Sequence, residues 1–453
     1  MPPRPLPGFY FDQERNRYFP LTGSGRLPAQ SGYVPANPTS SRAREADLVV
    51  DGQPKRRRRP VIWNSATSSI SSVDVARHAR SLRHSRIAAT SSGFSEPVRW
   101  PFGGESQRVS AFRTTPTKQF FGDTSGWLYS RAVRSTIDMP SRSQNSPEES
   151  DTDRGWTEWT PELSLAPHSE ISALCTTDTC CVAVCFGPTT KICVQDAEVP
   201  GRTQLLHLSS VRDVRAASLK RRTLVLGAAD KVVHLADLDR SDSTAVRMFP
   251  TRSDVFTVAQ QENFVYAGTR AGTVLRFDTR INNAKMAGQV LFESGRLPTA
   301  SDSSRSSAVF VHPIHGGQSL VAGYMDGRFG TYDLRFLRPM ARPSVTYAGQ
   351  TSSHGHCYSA QWQQGITLDP SEHFLFAAGL DHRIRAWDVD SGELVSLDVS
   401  SSQSSPGFRS PNLFAMKFAT HFSALQIVDA EDGPEQILWA SGGSEVWSWR
   451  LGV

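Results

Sequence analysis

Two four-residue stretches repeat one pattern of aromatic, aspartate, any residue and arginine: Phe277-Asp278-Thr279-Arg280 and Tyr332-Asp333-Leu334-Arg335. The chemistry they offer is recognition. A guanidinium is a rigid planar fork that stays charged and can pair two acceptors at once. In two other copies of the surrounding pattern the arginine position is acidic: Asp390 after Trp387-Asp388, and Asp239 after Ala236-Asp237. Arginine there is therefore not a general requirement of the pattern. Arg280 and Arg335 become candidate contacts to a partner, with ordinary surface arginines as the competing reading.

Motifs for catalysis are missing. Neither G-x-x-x-x-G-K-[ST], which cradles phosphate, nor G-x-S-x-G nor H-E-x-x-H occurs in the chain. Glu148, Glu149, Asp151 and Asp153 fall in a polar stretch, SRSQNSPEESDTDRG, that reads as a solvated loop and not as paired catalytic carboxylates. Cys175, Cys180, Cys181, Cys185 and Cys193 cluster around the apolar run CCVAVCF, with Cys357 apart, but form no CxxC pair and have no histidines at zinc spacing. They read as buried free thiols, which suit a reducing compartment. The expectation is a chain with no catalysis, metal or cofactor of its own.

The elements that would position the arginines emerge as a repeat. Its clearest copies are TLVLGAADKVVHLADLDRS (223–241), FVYAGTRAGTVLRFDTRI (264–281), SLVAGYMDGRFGTYDLRFL (319–337) and FLFAAGLDHRIRAWDVDSGELV (374–395). In each, a strand ends in small residues, and a turn follows at Asp230, Ala271, Asp326 or Asp381. Six residues later stand Ala236, Phe277, Tyr332 or Trp387, each followed by aspartate. Degenerate copies at 120–133, 181–199 and 437–452 bring the count to seven. Each copy reads as two strands of a four-stranded antiparallel blade whose faces must be buried on neighbouring blades. Pairs such as Ala267-Gly268 and Ala322-Gly323 let inner strands crowd near an axis. The turn aspartate can bond backbone amides, and the aromatic covers the blade edge. A closed ring removes sheet edges that invite aggregation. The expected fold is all-β: a seven-bladed propeller over 105–453, closed by an N-terminal strand at 110–115. Polar insertions fall at 293–307 and 396–412.

Composition agrees. The 453 residues are 38% hydrophobic with mean hydropathy −0.36, and hold no apolar run near the length of a spanning helix. The opening residues lack the apolar core of a secretory signal. A membrane or secreted protein is not expected. The charge is uneven: residues 1–100 carry 16 Lys and Arg against 7 Asp and Glu, and the remainder 33 against 37. A basic head on a mildly acidic body points to a receptor or nucleic acid.

The repeat resembles the WD repeat, with Trp387-Asp388 its one literal copy and Gly355-His356 upstream at GH spacing. The two arginine-bearing copies resemble the WDxR boxes of the substrate receptors of cullin-4 RING ubiquitin ligases. The second copy, from Leu320-Val321-Ala322-Gly323 through Asp326 to Arg335, is closer to the consensus than the first, which has Phe for Trp and Ala271 for the turn aspartate. PGFYFDQERNRYF at 7–19 resembles the N-terminal motif found in some of these cullin-4-ligase-associated factors. The resemblance covers most of 7–20 and 205–453. It implies that the box residues lie on the propeller rim and bind the ligase adaptor, the large subunit of the UV-damage DNA-binding complex. The opposite face would then present a protein substrate that the sequence does not identify. Arg335→Ala is expected to weaken adaptor binding more than Arg280→Ala.

The head divides in two. Residues 1–20 form an aromatic motif, read as a small hairpin of Phe9, Tyr10 and Phe11, a charged turn from Asp12 to Arg17, and Tyr18-Phe19 returning. A lone hairpin is marginal in water. Residues 21–104 read as a largely disordered basic linker. Within it Lys55, Arg56, Arg57, Arg58 and Arg59 have three readings: an importin-bound nuclear signal, a nucleic-acid contact, or a solvated run. Residues 68–90 read as a helix capped by Ser71 or Ser72, with Val73, Ala76, Ala79, Leu82 and Ile87 near one face. By the resemblance it is a candidate for insertion into the adaptor; packing on the propeller's own flank is the alternative. The expected role is thus a nuclear adaptor protein, with an RNA-processing or ribosome-assembly scaffold that binds nucleic acid through the head as the second reading.

Overall fold

The computed structural model describes residues 9–12, 17–20, 72–88, 94–98, 108–133, 159–196, 199, 201–239, 246–293, 306–336, 342–347, 365–395, 413–430 and 435–452. Phe9–Asp12 and Arg17–Pro20 form the expected antiparallel hairpin, with Tyr10 opposite Phe19 and Phe11 opposite Tyr18; Asp12 pairs with Arg17, so both belong to the strands and not to the turn. The Lys55–Arg59 run, Gly355-His356, the acidic run at 148–153 and most of both polar insertions lie outside the described residues.

From residue 94 onward, seven antiparallel sheets form the blades of a propeller, with strands hydrogen-bonded in chain order from an inner first strand outward except in the last blade, whose outer strand comes from residues 94–97. Blade 1 opens at Val109–Thr114, blade 2 at Ile171–Thr176, blade 3 at Ala216–Lys220 and blade 4 at Val255–Gln261. Blades 5, 6 and 7 open at Ala308–Ile314, Ile366–Leu368 and Ala424–Asp429. All seven repeat copies supply second and third strands. These were readable because they are buried on both faces: Cys180–Cys185 is buried at every position, whereas the outer strand Thr203–Leu208 alternates between exposed and half-buried.

Closure differs from the expectation. Residues 110–115 are not the closing strand; Val109–Thr114 is the inner strand of blade 1, paired with Lys118–Asp123. The ring is closed by Phe94–Pro97, which pairs antiparallel with Glu445–Leu451 as the outer strand of blade 7. The physical reason is burial. Val109, Ser110, Ala111 and Phe112 are all buried, as an inner strand requires. An outer strand makes no such demand, so FSEP carries no signal in the sequence.

The small residues act as expected. A Cβ on Gly122 would meet Ile171 at 2.4 Å and one on Gly227 would meet Val255 at 2.7 Å. In both cases the contact is the first residue of the next blade's inner strand. The aromatics pack backwards around the ring. Phe277 stacks on Phe249 at 5.1 Å, Tyr332 stacks on Phe292 at 3.9 Å, and Trp387 meets Tyr347 edge-on at 6.5 Å. Each partner lies on or at the end of the preceding blade's outer strand, so the aromatic is the seam between blades.

Candidate functional site

The Asp-x-Arg elements begin where the third strands end, Thr273–Asp278 in blade 4 and Phe329–Asp333 in blade 5, and the Asp388-Val389-Asp390 counterpart begins at the end of Ile384–Asp388 in blade 6. Because every blade has the same strand order, these ends share one face of the ring. The residue after each aspartate is fixed by one recurring bond, its N–H donated to the carbonyl just before or at the start of the second strand. Thr279 bonds Asn263 at 2.9 Å, Leu334 bonds Gln318 at 2.8 Å and Val389 bonds His373 at 2.8 Å. With that residue held, the next side chain is set at the rim.

In blades 4 and 5 the two boxes have the same geometry. Asp278 Oδ1 accepts the Arg280 backbone N–H at 3.0 Å and its Nε–H at 2.9 Å, while Oδ2 accepts Nη2–H at 2.6 Å. Asp333 repeats this with Arg335 at 2.9, 3.0 and 2.7 Å. The arginine side chains are 63% and 60% exposed. Hydrogen bonds from the arginine, side chain first and backbone second, hold each carboxyl at a pKa of about 2. The Nε–Nη2 edge of each guanidinium is thus occupied by its own aspartate, which fixes the guanidinium's direction and offsets its charge. Arg247, from the outer strand of blade 3, braces the first loop by donating to the Thr279 carbonyl and, at 3.2 Å, to Asn282 Oδ1.

Blade 6 completes the same arrangement differently. Its arginine position is Asp390, which faces His315 at 3.8 Å. The box carboxylate, Asp388, is 1% exposed and is met by side chains of helix α1, Ser72–Ala88. His84 Nε2 lies 3.4 Å and Arg80 Nε 3.9 Å from Oδ2, while Ser391 donates its N–H and hydroxyl to Oδ1. Burial acts most strongly on this carboxyl and would raise its pKa. The Ser391 bonds, the Arg80 charge and the His84 bond outweigh burial and hold it below the usual range. The parallel extends to the cross-strand neighbour. Phe264 lies opposite Asp278 and carries Arg280 at 5.7 Å, whereas Phe374 lies opposite Asp388 and carries His84 at 5.8 Å. Opposite Asp333 stands Ser319, and Arg335 instead faces Phe336 at 5.7 Å.

Helix α1 forms within the expected span, but its packed face is not the expected one. Arg80, Arg83, His84 and Ile87, at i, i+3, i+4 and i+7, turn inward, while Ala79 and Leu82 are exposed. The side chains of Val73 and Ala76 lie outside the described residues. Arg80 and His84 turn to the buried Asp388 carboxylate, and Ile87 plugs a cluster with Phe374, Trp449 and Leu451. At the end of blade 7, a Cβ on Gly452 would meet the Arg86 carbonyl at 2.6 Å, and this glycine has φ +52°. The flank-packing alternative for α1 is what the described half shows.

Sequence reading missed three residues on the open part of the rim. Both boxes continue into an exposed apolar residue: Ile281 (39%) after Arg280 and Phe336 (76%) after Arg335. Met286 (74%), in the one-turn helix α2 (Ala284–Ala287) after the first box, adds a third. The only available signal was that Asp-x-Arg extends to Asp-x-Arg-apolar twice.

Elsewhere, Cys175, Cys180, Cys181, Cys185 and Cys193 are free and buried. Burial pushes the Cys175 thiol up to about 11 and that of Cys193 to about 12. Among the described residues no group of three or more His, Cys, Asp or Glu is placed to hold a metal, and no helix is long and apolar enough to cross a membrane. The chain is a seven-bladed β-propeller, an architecture that fits a WD-repeat protein mediating protein interactions. It matches no protein-family model and no curated protein.

Proposed function

We propose that the chain is a substrate receptor of a cullin-4 RING ubiquitin ligase and binds the ligase's adaptor subunit through the rim of blades 4 and 5. The observation that carries this reading is the repeated box. Two exposed guanidiniums, each oriented by the aspartate two residues earlier, sit at the same end of adjacent blades. Arginine is favoured at interface hot spots, and a fork held in place loses less freedom on binding than a mobile one. In this reading α1 marks one boundary of the contact, since it covers the corresponding ends of blades 6 and 7. The face opposite the boxes is left for substrate, and the basic head for nuclear import. The chain carries no chemistry itself; it positions a protein for a reaction performed by its partners.

The test is affinity purification with mass spectrometry of the full chain against the Arg280→Ala/Arg335→Ala double variant. Recovery of the adaptor by the wild type and its loss from the variant supports the reading. Equal recovery from a folded variant, or no adaptor with either, removes it.

A further inference from the structure

We infer that the two boxes of the blade 4–5 rim, each neutral in itself, flank an apolar docking surface centred on Phe336, and that the occupant of this surface presents an apolar pocket and uncharged hydrogen-bond acceptors there, not an acidic patch. This rests on the reading that a partner docks at the rim, and specifies what kind of partner surface fits.

Charge comes first. An arginine-lined rim ordinarily implies an acidic partner. Here each guanidinium is already matched by a carboxylate through two side-chain hydrogen bonds, and both carboxylates stay ionised at any ordinary pH. Each box therefore brings a fixed dipole with no net charge. An acidic surface approaching it would meet Asp278 and Asp333 as well as the arginines.

Apolar exposure is the second observation. Phe336 and Met286 are the two most exposed large hydrophobic side chains among the described residues, and both belong to the loops that carry the boxes. A phenylalanine three-quarters in water gains nothing for the fold of the isolated ring. Phe, Met and Arg are the types enriched in interface cores, where Lys and Glu are depleted. Blade 5 also explains why Phe336 stands out. Its second strand opens with Ser319 and not with phenylalanine, so the ring that Arg335 faces lies outside the sheet.

The experiment measures equilibrium binding of the full chain to purified adaptor subunit at about 0.1 and 0.5 M salt, for wild type, Phe336→Ala and Met286→Ala, with melting temperature and elution volume recorded for each. The expected result is a wild-type affinity that changes less than about threefold with salt, because little net charge is neutralised. Phe336→Ala should weaken binding at least about tenfold and Met286→Ala about threefold, with melting unchanged. If the adaptor binds but Phe336→Ala binds as tightly as wild type, or affinity falls tenfold or more with salt, the inference is wrong while the adaptor reading stands. If wild type fails to bind adaptor at either salt, both fail. A wild-type dimer that Phe336→Ala returns to monomer assigns the patch to a second copy and also overturns the inference.

Discussion

Blades 4 and 5 and blade 6 solve one problem in two ways. Each ends its third strand with an aspartate whose carboxylate needs hydrogen-bond donors. Blades 4 and 5 supply Arg280 and Arg335 from two residues downstream and leave the pair in solvent. Blade 6 has Asp390 there and takes Arg80 and His84 from α1, which buries the carboxylate. Between these blades, arginine at that position goes with an open rim, and aspartate with a rim closed by the chain's own helix. The literal WD pair, Trp387-Asp388, lies on the closed side; the boxes with Phe and Tyr in place of Trp lie on the open side.

The contrast can be broken from the closed side first. Asp388→Ala strips a buried acceptor from Arg80, His84 and Ser391, and should lower unfolding free energy by about 3 kcal/mol in denaturant titration. Ile87→Ala should cost about 2 kcal/mol by emptying its place in the blade 6–7 cluster. His84→Gln should cost about 1 kcal/mol, the scale of one hydrogen bond. On the open side, Asp278→Ala and Asp333→Ala should lower the unfolding midpoint much less than Asp388→Ala, since the arginine of each pair is mostly exposed. A midpoint loss there equal to that of Asp388→Ala would erase the distinction.

The pH response should differ from that of an ordinary exposed carboxylate. The carboxyls of Asp278 and Asp333 are depressed in the fold to about 2, from a usual value near 3.9. A depressed group contributes fully above its unfolded pKa and loses that contribution as pH falls through the folded value. The pairs should therefore persist to about pH 3, and carboxyl chemical shifts followed by NMR should show midpoints near 2. Midpoints near 4 would mean that the arginines are not held.

How much of this was legible depends on burial. The second and third strands announce themselves because both their faces pack, as in CCVAVC and FLFAA. The boxes stood out because aspartate and arginine repeat at fixed spacing. Outer strands were opaque, since Val345–Thr346 and Phe94–Pro97 answer to neighbours and not to an apolar pattern. The face of α1 was misread for a related reason. Its apolar positions suggested one stripe, but the ring offers a carboxylate 304 residues away from His84 in sequence, and no local pattern encodes that attraction. The exposed Phe336 was in plain view, yet only its solvent exposure separates it from a core residue.

The most direct test of the central claim is the dissociation constant of the full chain for purified adaptor, compared between wild type and Arg280→Ala/Arg335→Ala. Wild type should bind, and the double variant should lose at least about tenfold in affinity with an unchanged melting temperature. Equal affinity of the two proteins would contradict the claim that the open rim is where the partner docks.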